Sequence, residues 1–398
     1  MSLSVKHLNG DTTFLLTFSP NDKHDAPRPS NQYQQLPGSF TILIDPWLTG
    51  SCSMLHPKFL LSRHTRPSSI KHLSEIPEPN VVLVSQDKPD HCHEPTLRQL
   101  DHTSPISVVL AEPSAAKRIR AMKHFDPGMV HELRPFSHKS YNSVIRFCVP
   151  PIVPGGTAGE VTISFIPGKM DIAGVHNATA FTYRPPSTTS IPMRPLSPPT
   201  TSPYQSALQA QALHSRTVPN VPLTPPDSPQ YSSRTNTTAT TTSSNPSSSF
   251  SSSHHGRSIS SASSMSSSAR YSPYTEKSLS VIYSPHGVTY GLIHDYASHH
   301  LVPNAALPLT LLLHSFDRVN NPWWMGGNVA AGLPGGAEIA TNLMAKCWIS
   351  AHDEDKDNTG LSVANVTKKK YDLKEVTEFM VRRETRVVNL GVGEEMLL

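Results

Sequence analysis

Residues 81–100 read VVLVSQDKPDHCHEPTLRQL. Val81–Val84 form an aliphatic run without polar interruption, the pattern of a strand buried on both faces. The nine residues Ser85–His93 then carry two Asp, two His and one Lys. Pro95 follows at the start of a helical stretch, where its missing N–H costs nothing. A buried strand thus delivers a loop of titratable side chains to the end of a sheet, and a helix closes the unit.

The same tempo extends to both sides. Upstream, TTFLLTF (12–18) and FTILIDP (40–46) read as strands, the second stopping at Asp45-Pro46. SSIKHLSEIP predicts a short helix before Val81. Downstream, SVVLA (107–111) predicts a strand and EPSAAKRIRAMKHF a helix. EVTISFIPG (160–168), ATAFTY (178–183), LSVIYS (279–284) and LPLTLLLHSF (307–316) continue as strands. GGAEIATNLMAKC predicts a helix, and WISAHDEDKDNTG a strand ending in a polar loop. In KKYDLKEVTEFMVRRE, Leu373, Val376, Phe379 and Met380 share one face of an amphipathic helix. Strands alternating with helices predict α/β layering.

One segment breaks the pattern. Of the 94 residues 184–277, 53 are Ser, Thr or Pro. Such a stretch buries too little apolar surface to offset its ordering entropy and is expected to be disordered. The expected domain therefore runs over 1–183 and resumes at 278–398, with 184–277 as an insertion. The net charge of +4 is local as well, because the insertion holds seven Lys/Arg against two Asp/Glu. A near-neutral folded part lacks the clustered basic face of a nucleic-acid binder.

Cys52, Cys92, Cys148 and Cys347 include no Cys-x-x-Cys pair, which excludes a zinc ribbon and does not read as a disulfide scaffold. The first 20 residues lack the pattern of a signal peptide, and no apolar run reaches the ~18 residues of a membrane span. A cytoplasmic setting without nucleic-acid or membrane partners is the simplest expectation.

The strand–loop–helix unit resembles that of the metallo-β-lactamase superfamily, whose motif is His-x-His-x-Asp-His. The motif positions here are Gln86, Lys88, Asp90 and His91. FTILIDPWL resembles the early strand of that superfamily, which ends in Asp, and Thr96-Leu97 fits the tail of its lactonase-like branch. The resemblance implies a four-layer αββα sandwich, interrupted here by the long insertion. It also implies a zinc-dependent hydrolase of a small-molecule substrate. Asp90, His91 and His352 are the retained metal positions, with Asp90 also the catalytic candidate. Gln86 and Lys88 replace the first two histidines, and Lys169 falls in a further ligand slot, with His176 as the alternative. The bridging-Asp position falls at Ser284, Pro285 or His286, so the Asp is missing and His286 joins His176 as a metal or pocket candidate.

Lysine at neutral pH offers a metal no lone pair. Two readings therefore stand side by side. One is a hydrolase with a reduced metal site on Asp90, His91 and His352. The other is a non-catalytic ligand-binding or regulatory relative in which the Lys88 ammonium replaces the metal and neutralises Asp90. Asp45 reads as a turn-forming hydrogen-bond acceptor, Cys92 as a small buried residue, and His93 as an ordinary polar residue. Trp323-Trp324 reads equally as a pocket wall or a core plug. Ser-Pro or Thr-Pro pairs at Ser197, Ser202, Thr224, Ser228 and Ser272, and Arg257-x-x-Ser260, mark the insertion as a phosphorylation candidate.

Overall fold

Along FTILI, Ile42 and Ile44 enter one apolar cluster and Leu43 another. Along LLLH, Leu311 and Leu313 enter the first of these clusters and Leu312 a third. Strands buried on both faces need apolar partners above and below, and the chain supplies them as four layers. The computed structural model describes residues 1–20, 36–169, 171, 174–187, 277–322, 327–363, 366–380 and 384–398.

The first strands are β1 (Ser2–His7), β2 (Phe14–Ser19), β3 (Phe40–Ile44), β4 (Ser51–Met54), β5 (Leu60–Arg63), β6 (Val81–Val84), β7 (Val108–Ala111) and β8 (Val130–Glu132). Then come β9 (Val144–Val149), β10 (Gly159–Ile166), β11 (Ala178–Arg184), β12 (Leu279–Ser284), β13 (Leu311–His314), β14 (Arg318–Asn320) and β15 (Asn328–Ala330). The last are β16 (Cys347–Ser350), β17 (Asp357–Thr359), β18 (Thr367–Lys369), β19 (Arg386–Val388) and β20 (Glu395–Leu397). The helices are α1 (Glu94–Leu97), α2 (Pro113–Ala121), α3 (Tyr290–Tyr296), α4 (Leu333–Asn342) and α5 (Leu373–Phe379).

Two seven-stranded sheets carry the fold, in the orders β20-β1-β2-β3-β6-β7-β8 and β19-β16-β13-β12-β11-β10-β9. Their facing sides share one core, in which Ile42, Ile44, Val81 and Leu83 meet Ile163, Phe181, Val281 and Leu311. The outer face of the first sheet packs Val82, Val84 and Val109 against Leu97 of α1 and Ala115, Ala116 and Ile119 of α2. The outer face of the second packs Ile282, Leu312 and Trp348 against Ile293, Tyr296, Ala337, Ile339 and Ala340. This is the αββα order expected from the sequence. Strands β3, β6 and β7 run parallel, as do β12, β13 and β16, so their carboxyl ends open side by side.

The structure moves some expected boundaries. Arg184 ends β11 and Ser187 exchanges backbone hydrogen bonds with Thr157, so described structure continues to Ser187, past the expected start of the insertion at 184. The rest of that segment, 188–276, with its Ser-Pro and Thr-Pro pairs, lies outside the described residues, as do Trp323 and Trp324. The expected face of α5 is narrower than its pattern. Val376 and Met380 are buried, but Leu373 and Phe379 are exposed, because a two-turn helix docks through one i,i+4 pair. The cysteines are free, and Cys52, Cys92 and Cys347 are buried. No helix among the described residues is long and apolar enough to cross a membrane.

Candidate metal centre

The carboxyl ends of β3, β6, β12 and β16 each release a side chain into one buried cluster. Asp45 follows β3, His91 follows the loop after β6, His286 follows β12, and His352 follows β16. Asp11 enters from the turn between β1 and β2, where the Asn9 Oδ1 accepts the N–H groups of Asp11 and Thr13, each at 2.9 Å. Asp45 and His352 both hold positive φ, 41° and 69°. Backbone strain of this kind persists where surrounding contacts over-determine it, and it clusters at functional sites.

Each imidazole is oriented by an oxygen on its Nδ1. His91 Nδ1 donates to Asp45 Oδ2 at 2.7 Å, His286 Nδ1 to the Val329 carbonyl at 3.0 Å, and His352 Nδ1 to Asp11 Oδ1 at 3.0 Å. An ionised carboxylate or a carbonyl can only accept, so each Nδ1 carries a proton, and each ring, when neutral, has its lone pair on Nε2. The ligating atoms of His91, His286 and His352 lie within 4.8 Å of one another. His91 Nε2 and His286 Nε2 stand 3.2 Å apart. Two imidazole nitrogens on one tetrahedral zinc, at ~2.0–2.1 Å each, would stand about 3.3 Å apart. Three imidazoles fixed in this way fit a divalent cation, and an oxygen behind each ring is the usual support of a ligating histidine.

Asp45 is fully buried and accepts from four donors. Besides His91 these are the Ser85 N–H at 2.7 Å, the Ser85 hydroxyl at 2.5 Å and the Tyr283 hydroxyl at 2.6 Å. Burial and the Asp45 charge push the Tyr283 hydroxyl well above its usual range, so it stays a donor.

Beside the imidazoles lies a second group of candidate ligands, Asp11, Asp90 and His352. The Lys356 ammonium sits among them, 2.8 Å from Asp11 Oδ2 and 2.9 Å from Asp90 Oδ2. Burial opposes the charge on Lys356, but the two carboxylates more than offset this and raise its pKa. Burial likewise opposes ionisation of Asp90, and Lys356 and His91 overcome it, so Asp90 stays far below the usual carboxylate range. Burial pushes His286 well below the usual imidazole range, and the neighbouring His352 and His91 add to this, so it is neutral. For His91 burial acts downward too, but Asp90 and Asp45 reverse the sign and raise it.

The sequence-derived residues divide. Asp90, His91, His286 and His352 come together. His176 does not, since its ring nitrogens rest on the carbonyls of Gly287 and Asn328. Lys169 is exposed in the turn after β10. Gln86 is buried with its Nε2 on the Val175 carbonyl, and its Oε1 makes no hydrogen bond among the described residues. Lys88 does not neutralise Asp90. It pairs with Asp87 at 2.7 Å, partly exposed, and the ammonium on Asp90 belongs to Lys356. The cause is local: the Lys88 carbonyl accepts the N–H groups of His91 and Cys92, closing a helical turn in which residues two apart point in different directions. His93 occupies the N-cap position of α1 without a side-chain cap on the backbone, its Nδ1 resting on Thr96 Oγ1 outside the cluster.

Asp11 and Lys356 were not among the expected site residues. The Asn-Gly-Asp turn signal locates Asp11 between strands, but nothing local couples it to a histidine 341 positions away.

No family model matches the chain, and no curated protein does. Among solved structures, the chain is similar to Igni18, described as a novel metallo hydrolase from the hyperthermophilic archaeon Ignicoccus hospitalis. Identity is 9%, the TM-score is 0.42, and 100% of this chain and 99% of that one are covered. It is also similar to YhfI of Bacillus subtilis, described as a metallo-beta-lactamase fold protein, at 10% identity and a TM-score of 0.39 over 99% of each chain. The αββα layering stands on the sheet order and the three apolar clusters.

Proposed function

We propose that the chain is a metal-dependent hydrolase holding one divalent cation on His91, His286 and His352. The observation that carries this reading is the convergence of three imidazoles, with ring nitrogens within 4.8 Å of one another and His91 Nε2 3.2 Å from His286 Nε2, each ring fixed from behind by an oxygen. Charge balance supports it. Asp11, Asp45 and Asp90 bring three carboxylates and Lys356 one ammonium, a deficit that one divalent cation neutralises. The all-imidazole donor set suits zinc.

Such a cation supplies Lewis acidity and lowers the pKa of water toward neutrality. The remaining work belongs to the chain. Asp45, the Val329 carbonyl and Asp11 hold the three rings in one tautomer. His91 and His286 are closed off from solvent, whereas His352 and Asp90 are 11% and 19% exposed, so a small-molecule substrate enters on their side. Asp90 Oδ2 lies 3.9 Å from His352 Nε2. A carboxylate held ionised this firmly accepts a hydrogen bond and orients a nucleophilic water; it is too weak a base to keep the proton at neutral pH.

Elemental analysis of protein purified without chelator tests the reading. One equivalent of metal per chain is expected, lost in His286→Ala together with hydrolysis of whichever ester, thioester, amide or phosphodiester substrate the wild type accepts. The Lys356 ion pairs favour a second reading, a metal-free ligand-binding protein whose internal ammonium already balances Asp90. A wild type that stays metal-free under zinc saturation decides for it.

A further inference from the structure

Lys356 is a buried cation in a place built for a metal. Its ammonium is held by Asp11 and Asp90 at 2.8 and 2.9 Å, lies 3.5 Å from His352 Nδ1, and faces the Trp47 ring at 5.5 Å from the centroid. Asp11 and Asp90 converge here as candidate metal ligands beside His352, whose own lone pair the first cation would take. Asp90 Oδ2 touches this ammonium and lies 3.9 Å from His352 Nε2, so one carboxylate oxygen stands beside both the ammonium and a ring of the proposed cation site, where a bridging ligand would stand in a two-metal site.

We infer that Lys356 is an internal replacement for a second divalent cation, and that this one side chain limits the centre to a single metal. The inference rests on the proposed single-metal site only for the absolute count. The change in count when Lys356 is removed is independent of it. Two carboxylates buried side by side cannot both stay ionised without a cation, and an ammonium tethered by the chain outcompetes a free metal for the place. Lysine binds as a point charge without coordination demands, so no rearrangement of Asp11 or Asp90 is required.

The experiment is metal stoichiometry, by elemental analysis after zinc saturation and desalting, for the wild type, Lys356→Ala, Lys356→Gln and Lys356→Arg. The two neutral variants are expected to hold one equivalent more than the wild type, and the Arg variant the same as the wild type. Lys356→Gln keeps most of the side chain and a neutral donor for the carboxylates, so it remains informative if Lys356→Ala does not fold. A paired thermal melt with zinc or with chelator should show a larger zinc-dependent rise in Tm for the neutral variants than for the wild type. Equal stoichiometry in the wild type and a folded neutral variant overturns the inference. A metal-free wild type overturns the single-metal site instead, while a gain of one equivalent in the neutral variants still upholds the role of Lys356.

Discussion

His91 and His286, 195 residues apart in the chain, face each other through their Nε2 atoms at 3.2 Å. Two neutral imidazoles cannot hold that contact with both lone pairs aimed inward. A shared proton or a shared cation must lie between them, and the raised pKa of His91 beside the depressed pKa of His286 marks the proton as the cation's competitor. Asp45, at the end of β3 in the first large sheet, anchors His91 from its far side, and Val329 of β15, in a separate three-stranded sheet, anchors His286.

Asp45 is the anchor whose loss should be felt most. Asp45→Asn keeps a side chain that tolerates positive φ and still accepts the Ser85 N–H. Its amide group cannot accept from His91 while also serving the hydroxyls of Ser85 and Tyr283. Metal affinity is expected to fall by about 10–100-fold, the usual effect of losing an oriented partner behind a ligating histidine. Zinc competition titration against a chromogenic chelator checks it. An unchanged affinity would mean that Asp45 serves only the fold.

Much of this was legible in the residues, and what was missed has a physical pattern. Buried runs such as Val81–Val84 and Leu311–Leu313 announce two-sided burial, so the central strands and the layer order are readable. β1 (SLSVKH) is buried but mixes polar and apolar residues, and β14, β17 and β18 are three-residue strands of small separate sheets without pattern. Helix α3 hides in YGLIHDY, whose inward residues Ile293 and Tyr296 alone do not make a stripe. At the site, Asp90, His91 and His352 follow from position at strand ends. Lys356 does not, because Lys356 in DEDKD reads as part of a solvated charge run, and only the fold turns it inward.

Gly336 offers a stability test outside the site. A Cβ built there would lie 2.2 Å from Trp348 Cζ2, and Trp348 is fully buried with its indole N–H on the His314 carbonyl. Gly336→Ala forces α4 away from the second sheet, and a loss of about 1–3 kcal/mol is expected from overpacking. Chemical denaturation reads it. A stable Gly336→Ala would show that the α4 layer slides at no cost.

His300 sets an acid limit on stability. Burial depresses its pKa to about 4, and Arg146 adds to this. The ring accepts or donates at Thr162 Oγ1 over 2.9 Å, stacks on Tyr296 and meets Phe136 edge-on. The unfolded chain takes up a proton as pH falls through about 6.5, and the folded chain does not until about 4. The contribution is therefore complete above about 6.5 and is lost as pH falls toward 4, by at most about 3 kcal/mol. His93, also depressed to about 4 by burial, adds a parallel slope. The measurement is the difference between wild type and His300→Gln across that window, where the variant should show the shallower loss. Parallel curves would remove His300 from the account.

Excision of residues 188–276 should leave the sandwich intact. The strands on either side, β11 and β12, are antiparallel neighbours with Tyr183 opposite Leu279 and Thr182 opposite Ser280. The two ends of the excised segment therefore leave adjacent strands, and a few Gly/Ser residues can join Ser187 to Lys277. Loop-closure cost grows with the logarithm of length, so shortening the connection more than tenfold should stabilise the fold by about 2 kcal/mol. The facing cores and the histidine cluster are built from residues on either side of the excised segment, and the metal content should match that of the full chain. Denaturant unfolding and elemental analysis of the shortened protein are the checks. Loss of the cooperative transition would show that residues 188–276 contribute packing to the sandwich; retained folding with lost metal would place part of the centre within them.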